Sequence, residues 1–132
     1  MIDLKIIKIA SNTKYAGLKN IYTHKSNVKN SLCGDKIKIE LVTRNEKISS
    51  MRYETDSCIL CEASASLLSN KVKSYSIKDL LIDMNILKEM IKIKNLNFPL
   101  KFKEFKFLLN TSNIYRKNCV ILPIDALLKA FK

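Results

Sequence analysis

Residues 36–43, KIKIELVT, alternate charged and apolar side chains, and this alternation constrains the fold more than any other feature of the chain. Successive side chains of a strand point to opposite faces. Ile37, Ile39 and Leu41 therefore share one face, and Lys36, Lys38 and Glu40 the other, as in a half-buried strand. RNEK at 44–47 reads as a turn. ISSMRYET at 48–55, with Ile48, Met51, Tyr53 and Thr55, alternates more loosely and reads as the return strand of a hairpin.

Helical signals flank the hairpin. Residues 2–11, IDLKIIKIAS, place Ile2, Ile6 and Ile9 at helical spacing with Leu4 and Ile7 nearby, and Gly17 marks a turn after them. Residues 18–30 are polar and extended, with Ile21, Tyr22 and Val28 as strand candidates. After the hairpin, Asp56 or Ser57 is expected to cap a helix running to about Val72. Its Ala63, Ser64, Ala65 and Ser66 are small enough for close approach of a neighbour. Residues 76–95 open with Ser76 and Asp79 at capping-box spacing, and Leu80, Met84, Leu87 and Ile91 form one apolar stripe. Pro99 breaks the chain. Residues 101–110 read as a short helix, although Phe102, Phe105 and Phe107 partly fit alternation. A last helix is expected over 124–131, with Pro123 near its first turn. The order helix, strands, helices predicts an α+β fold: an antiparallel sheet of about three strands with helices packed on it. Residues 1–132 are expected to form one domain.

No apolar run approaches the roughly 20 residues that span a bilayer. The lysine-punctuated N-terminus lacks the apolar core and cleavage site of a signal peptide. No membrane association and a cytoplasmic location are expected. The net charge of +12 invites a nucleic-acid reading, but 21 of the 24 basic residues are Lys. Only Arg44, Arg52 and Arg116 offer the bidentate geometry that readers of bases use, and the lysines form no block. A nucleic-acid partner is therefore disfavoured, while attraction to acidic proteins fits the charge.

Four cysteines in a chain of this kind point to metal or redox chemistry before structural disulfides. They are Cys33, in the loop before the first hairpin strand, Cys58 and Cys61 around the start of a helix, and Cys119 before the last helix. Ends of elements along one edge of a sheet can converge. Gly34, one of only two glycines, separates Cys33 from Asp35 and can adopt angles closed to other residues. A turn there can aim a thiolate and a carboxylate at one point. A helix N-terminus near Cys58 offers N–H groups to an anion, and Arg116 lies three residues before Cys119. Cys58-x-x-Cys61 is a common zinc or redox pair, but there is no second close pair and no βαβ pattern beside it. Some of these cysteines, Cys61 above all, also suit a small apolar core position.

The segments LCGD, SCILCEASASLLS and YRKNCVILPIDALLKA occur in an order that resembles the U-type iron–sulfur scaffold family: IscU, SufU and the NifU N-terminal domain. The resemblance covers residues 2–131, with Cys58 placed 25 residues after Cys33. The interval of 61 residues from Cys58 to Cys119 resembles the longer, SufU-like branch, with residues 95–112 as its insertion. The resemblance implies a small antiparallel sheet with helices and a metal site at one end. It carries Cys33, Asp35, Cys58 and Cys119 onto the family's ligand positions, and Arg116 onto the basic residue of the SufU-type last motif. Cys61 stands where the family more often has Ser, Thr or Gly. Asn118 replaces the ligand His of IscU, TSNI at 111–114 replaces its proline-rich chaperone segment, and Ser31-Leu32 replaces the usual asparagine-proline. Ile124 stands at the aromatic position of the SufU type. His24, the sole histidine, lies outside these motifs and reads as a surface residue.

Two functions remain at this level. The first is assembly of iron–sulfur clusters: sulfur received from a cysteine desulfurase, zinc or a transient [2Fe–2S] centre held by Cys33, Asp35, Cys58 and Cys119, and delivery to apo iron–sulfur proteins. Cys119 would be the sulfur acceptor and Arg116 its electrostatic support. The second is a non-catalytic zinc-stabilised module with Cys33, Cys58, Cys61 and Cys119 as ligands. Nothing in the chain suggests a stand-alone enzyme, and self-association into a homo-oligomer fits either function.

Overall fold

The structure is a computed structural model whose described residues are 4–30, 34–109 and 116–132. Its centre is the hairpin of β2 (Lys36–Arg44) and β3 (Lys47–Asp56). Asn45 and Glu46 join them with φ of 53° and 63°, the left-handed pair that matches the twist of antiparallel strands. β1 (His24–Lys29) pairs antiparallel with the other side of β2, giving the order β1-β2-β3. Among the described residues, four α-helices and a 3₁₀ segment complete the expected α+β architecture.

Ile37, Ile39 and Leu41 are buried, as the alternation demands. The loose pattern of β3 has a specific cause. The register shifts between Val42 and Thr43, leaving Ser49 as an extra residue, so Ile48 and Met51 both turn inward. Glu40 lies on the opposite face, as the alternation implies, but is buried there. Its Oε1 accepts the backbone N–H groups of Lys19 and Asn20 at 2.9 and 3.0 Å. The loop after the first helix is tied down next to it: Gly17 N–H donates to the Tyr53 carbonyl, and Arg52 donates to the carbonyls of Ala16 and Gly17. Gly17 has φ of 92°, so this turn does need glycine.

α1 (Leu4–Ala10) buries Ile6 and leaves Leu4 exposed. α2 (Ile59–Lys71) packs against α1, the 3₁₀ segment and the last helix, so it is buried on nearly every side. That position explains its composition. Ala63 and Ala65 permit close contact, Ser64 Oγ donates to the Val120 carbonyl at 2.7 Å, and Ser66 Oγ donates to the Asn12 carbonyl at 2.8 Å. The cap of α2 is Cys58, not Asp56 or Ser57. Asp56 is still paired with Lys36 in the sheet, and Ser57 Oγ donates to the Cys58 carbonyl.

α3 (Ile77–Lys92) starts as expected, with Ser76 Oγ accepting the Asp79 N–H at 3.1 Å. Leu80, Met84, Leu87 and Ile91 are its buried stripe. It stops before residue 95 because Lys94 takes a left-handed conformation, φ 61°. The aromatic segment, Leu100–Leu108, is made of 3₁₀ turns with a kink at Phe102 (φ −112°), and its buried Phe102, Phe105 and Leu108 recur every three residues. α4 (Lys117–Ala130) begins well before residue 124, and Pro123 lies inside it. Pro123 lacks only its own N–H to the Cys119 carbonyl four residues back, one bond of the helix ladder, while the Val120 carbonyl beside it accepts a hydrogen bond from Ser64 Oγ. The helix therefore passes through the proline, and Cys119 belongs to its first turn. Among the described residues no helix is long and apolar enough to cross a membrane.

Candidate metal centre

The β1–β2 loop closes with two hydrogen bonds of 2.8 Å: Asn30 N–H to the Asp35 carbonyl and Gly34 N–H to the Asn30 carbonyl. Gly34 has φ of 78°, and a Cβ built there would meet no atom within 4 Å. The glycine thus answers a backbone requirement and not a steric one. Gly34→Ala is expected to lose about 1–2 kcal/mol, the cost of a left-handed L-residue. Urea unfolding of the metal-free chain measures it.

This loop delivers Asp35 to the start of β2. β3 ends alongside, with Asp56 opposite Lys36, and the chain turns directly into α2. Cys58 is therefore fixed as the residue before the first turn of α2. Cys119 arrives from the first turn of α4, which packs against α2. The result is a cluster at one end of the sheet. The Cys58 and Cys119 sulfurs and an Asp35 carboxylate oxygen all lie within 4.8 Å of one another. Asp35 and Cys119 are buried, and Cys58 is half-buried.

The carboxylate is held from one side. Asp35 Oδ1 accepts the Cys58 N–H at 3.3 Å. Oδ2 is buried with no hydrogen-bond partner among the described residues. A buried carboxylate oxygen without a donor is costly, and a cation supplies what is missing. Two helix N-termini face the same place, and their N–H groups favour anionic ligands. Arg116, exposed at the cap of α4, closes the arrangement. Its guanidinium is pushed above its ordinary value by the negative charge of Cys58 first, against the opposing effect of burial, and then by the charge of Cys119, a hydrogen bond to it and the charge of Asp35. Two thiols, a carboxylate and a neighbouring cation suit a thiophilic metal or a small iron–sulfur unit, with Arg116 offsetting excess negative charge.

Of the residues singled out in the sequence, Asp35, Cys58, Cys119 and Arg116 come together. Cys33 lies outside the described residues, as do residues 111–114. Cys61 does not join the group and is wholly buried in the core. Asn118 is exposed beside Cys119. His24 is half-buried, not a plain surface residue. Its ring packs on Phe131 at 4.7 Å, its Nδ1 meets Thr23 Oγ1, and it stands opposite Leu41, away from the Lys36 end of β2. Sequence reasoning placed a helix N-terminus near Cys58 but missed that Cys119 lies in the first turn of α4, because it set the start of that helix near residue 124. One signal was present for Cys119: Val120, Ile124 and Leu127 share a helical face that starts before Pro123.

The profile of the NifU-like N-terminal domain matches residues 3–103, and the chain belongs to that family. The match ends before Arg116 and Cys119, so the third side of the cluster rests on the geometry above. Two crystal structures share the fold at 20% identity and a TM-score of 0.83. One is a nitrogen-fixing NifU-like protein (N-terminal) from Brucella abortus, with 98% of this chain and 90% of that chain covered. The other is a candidate iron–sulfur cluster assembly scaffold protein for the SUF system (FiSufU) from Fervidobacterium islandicum AW-1, with 99% and 96% covered. A third structure, of a hypothetical protein, has 22% identity and a TM-score of 0.75, with 96% of each chain covered. No curated protein matches the sequence.

Proposed function

We propose that the chain, acting as one domain over residues 1–132, is an assembly protein for iron–sulfur clusters whose cargo site is Cys33, Asp35, Cys58 and Cys119. The observation that carries this reading is the buried Asp35 carboxylate, with one oxygen lacking a partner, beside two thiols at helix N-termini. Family membership and the likeness to the SUF-system scaffold candidate support it.

The chemistry follows from the ligands. Three thiolates bind iron or zinc strongly, and the carboxylate is a harder, weaker ligand for a soft centre. Such a site holds its cargo firmly enough to assemble it and loosely enough to release it. Sulfur enters through Cys119. Its thiolate attacks the outer sulfur of a persulfide on a cysteine desulfurase, the donor's S–S bond breaks, and the donor cysteine leaves as thiolate. Cys119 becomes the persulfide, with no net change of oxidation state. Arg116 offsets the charge displaced when Cys119 leaves the metal. Iron(II) and a thiol or ferredoxin-type reductant, which gives two electrons to each such sulfur and releases it from Cys119 as sulfide, then build the cargo as a [2Fe–2S] unit for apo iron–sulfur proteins. A resident zinc with onward sulfur relay is the version that a SufU-like length favours.

The test separates Asp35 from Cys61. Asp35→Ala is expected to leave metal binding in place and to slow transfer of the assembled cluster to an apo-ferredoxin by about tenfold or more, roughly 1.4 kcal/mol in the barrier. Cys61→Ser is expected to leave metal content and transfer near the starting values. The reverse pattern would assign the fourth position to Cys61 and a structural zinc site to the chain.

A further inference from the structure

Cys61 is the one thiol among the described residues that the metal centre leaves unused. It is wholly buried and lies outside the group formed by Asp35, Cys58 and Cys119. Its place in α2 is nevertheless specific. Cys58 is the N-cap of that helix, so Cys61 is its third residue. Those two positions face each other at a helix start: in a capping box the side chain of each reaches the backbone N–H of the other. Two cysteines three residues apart inside a helix hold their Cβ atoms about 5–6 Å apart, too far for the roughly 3.5–4.5 Å of a disulfide. Cys58 is not inside the helix. Its backbone is extended, with φ of −72° and ψ of 165°, as an N-cap residue of a capping box is. Its side chain makes no capping hydrogen bond. The backbone on both sides is already set, because Cys58 N–H donates to Asp35 Oδ1 at 3.3 Å and the Cys58 carbonyl accepts the Glu62 N–H at 3.2 Å.

We propose that Cys58 and Cys61 are a dithiol that closes to a disulfide on meeting a small disulfide such as oxidised glutathione, and that closure takes Cys58 out of the metal centre. Both residues are thiols in the structure. Burial assigns their order of reaction. Cys58 is half-buried and open to a small reagent, whereas Cys61 is reached only from within the chain. The helix N-terminus favours thiolate at Cys58. That thiolate attacks one sulfur of the small disulfide, whose S–S bond breaks and releases a small thiolate. Cys61 passes its proton to the departing thiolate and attacks Cys58 Sγ. The mixed disulfide breaks and the second small thiolate leaves, protonated from solvent. The two cysteines give up two electrons and two protons, and the small disulfide becomes two thiols.

Closure and metal binding exclude each other. A disulfide sulfur is no longer a thiolate ligand, so the closed chain lacks Cys58 at the centre. A thiophilic metal acts in the opposite direction, because it holds Cys58 as a ligand and withholds it from attack. Cys119 is the competing partner for an oxidised Cys58, since their sulfurs lie within 4.8 Å. Cys61 is favoured because it shares the helical turn of Cys58, and closure needs side-chain rotation with no shift of one helix against another. The inference rests on the placement of the two cysteines and not on which cargo the centre holds.

Trypsin supplies a direct readout, because the fragment 53–71 holds Cys58 and Cys61 and no other cysteine. The metal-free full chain is treated with oxidised glutathione, alkylated, digested and weighed. The wild type is expected to yield this fragment unalkylated and two hydrogens lighter than the dithiol. Cys119→Ser is expected to yield the same fragment. Cys61→Ser is expected to stop at the mixed disulfide, with glutathione on Cys58 persisting at least about tenfold longer than in the wild type. Cys61→Ala, which keeps the buried position apolar, is expected to do the same. A wild-type fragment that stays alkylatable at both cysteines would overturn the inference. So would Cys58 joined to Cys33 or Cys119 instead, or a mixed disulfide equally long-lived with and without Cys61. Zinc added before the glutathione is expected to slow closure at least about tenfold. Closure that proceeds unchanged in zinc would count against Cys58 as a metal ligand, and so against the centre, while leaving the disulfide pair in place.

Discussion

Cys119→Ser is expected to lose sulfur uptake from a desulfurase persulfide by at least about a hundredfold, because a serine hydroxyl is not ionised near neutral pH and cannot replace a thiolate in exchange chemistry. The geometry makes this sharper than a general loss of a cysteine. Cys119 is buried in the first turn of α4, beside Asp35 and Cys58 and under the charge of Arg116. Serine differs by one atom at that place and leaves the α2–α4 contact, including the Ser64 bond to Val120, untouched. The thermal midpoint should therefore stay within a few degrees of the wild type, since about 1 kcal/mol moves it by only 2–8 °C. Labelled cysteine with a desulfurase, followed by gel or mass analysis of the persulfide, reads the uptake. Full-rate labelling of Cys119→Ser would assign the acceptor role to another thiol.

Phe102→Ala is expected to destabilise the chain by about 3–5 kcal/mol, the usual loss for a fully buried aromatic. Phe102 is 1% exposed, stacks on Tyr75 at 5.9 Å between centroids and meets Phe105 edge-on at 6.1 Å. The segment that carries it belongs to residues 95–112, the stretch that resembles an insertion. An insertion lying on the surface would tolerate the change. Here the 3₁₀ turn places Phe102, Phe105 and Leu108 in the core and packs against α2, whose N-terminus holds Cys58. With total stabilities of about 5–15 kcal/mol, this one truncation removes a large share. Urea unfolding gives the value, and a loss below about 1 kcal/mol would show that the segment is not integral to the core.

The sheet and α3 were legible in the sequence because each is written in one periodicity. Ile37, Ile39 and Leu41 repeat at two, and Leu80, Met84, Leu87 and Ile91 repeat at three and four, with Ser76 supplying a cap. The bulge at Val42 and Thr43 was visible only as an untidy alternation, since one extra residue changes the face of every side chain after it. Glu40 lies on the face opposite Ile39 and Leu41 as its alternation implies, but its burial was not legible, because the backbone N–H groups that cover it belong to a loop about twenty residues away and no local pattern encodes them. The start of α4 was hidden by Pro123. A proline normally marks a helix start, but here it lies in the second turn and costs the ladder a single bond, the one to the Cys119 carbonyl. Of the site, the turn at Gly34 and the pairing of Asp35 with distant thiols could be read from residue types. The helix start near Cys58 could be read too, but not that Cys58 itself is the cap or that Cys119 lies in the first turn of α4, because Cys is a poor capping residue and gives no start signal.

The most direct measurement is the metal and sulfide content, with the visible spectrum, of the chain purified without oxygen and incubated with iron, cysteine and a desulfurase. The account predicts bound iron and acid-labile sulfide with sulfur-to-iron charge-transfer bands in the wild type and in Cys61→Ser. It predicts their loss in Cys58→Ser and in Cys119→Ser. A colourless chain that binds neither iron nor sulfide, or a cluster that survives in both of those serine variants, would contradict it.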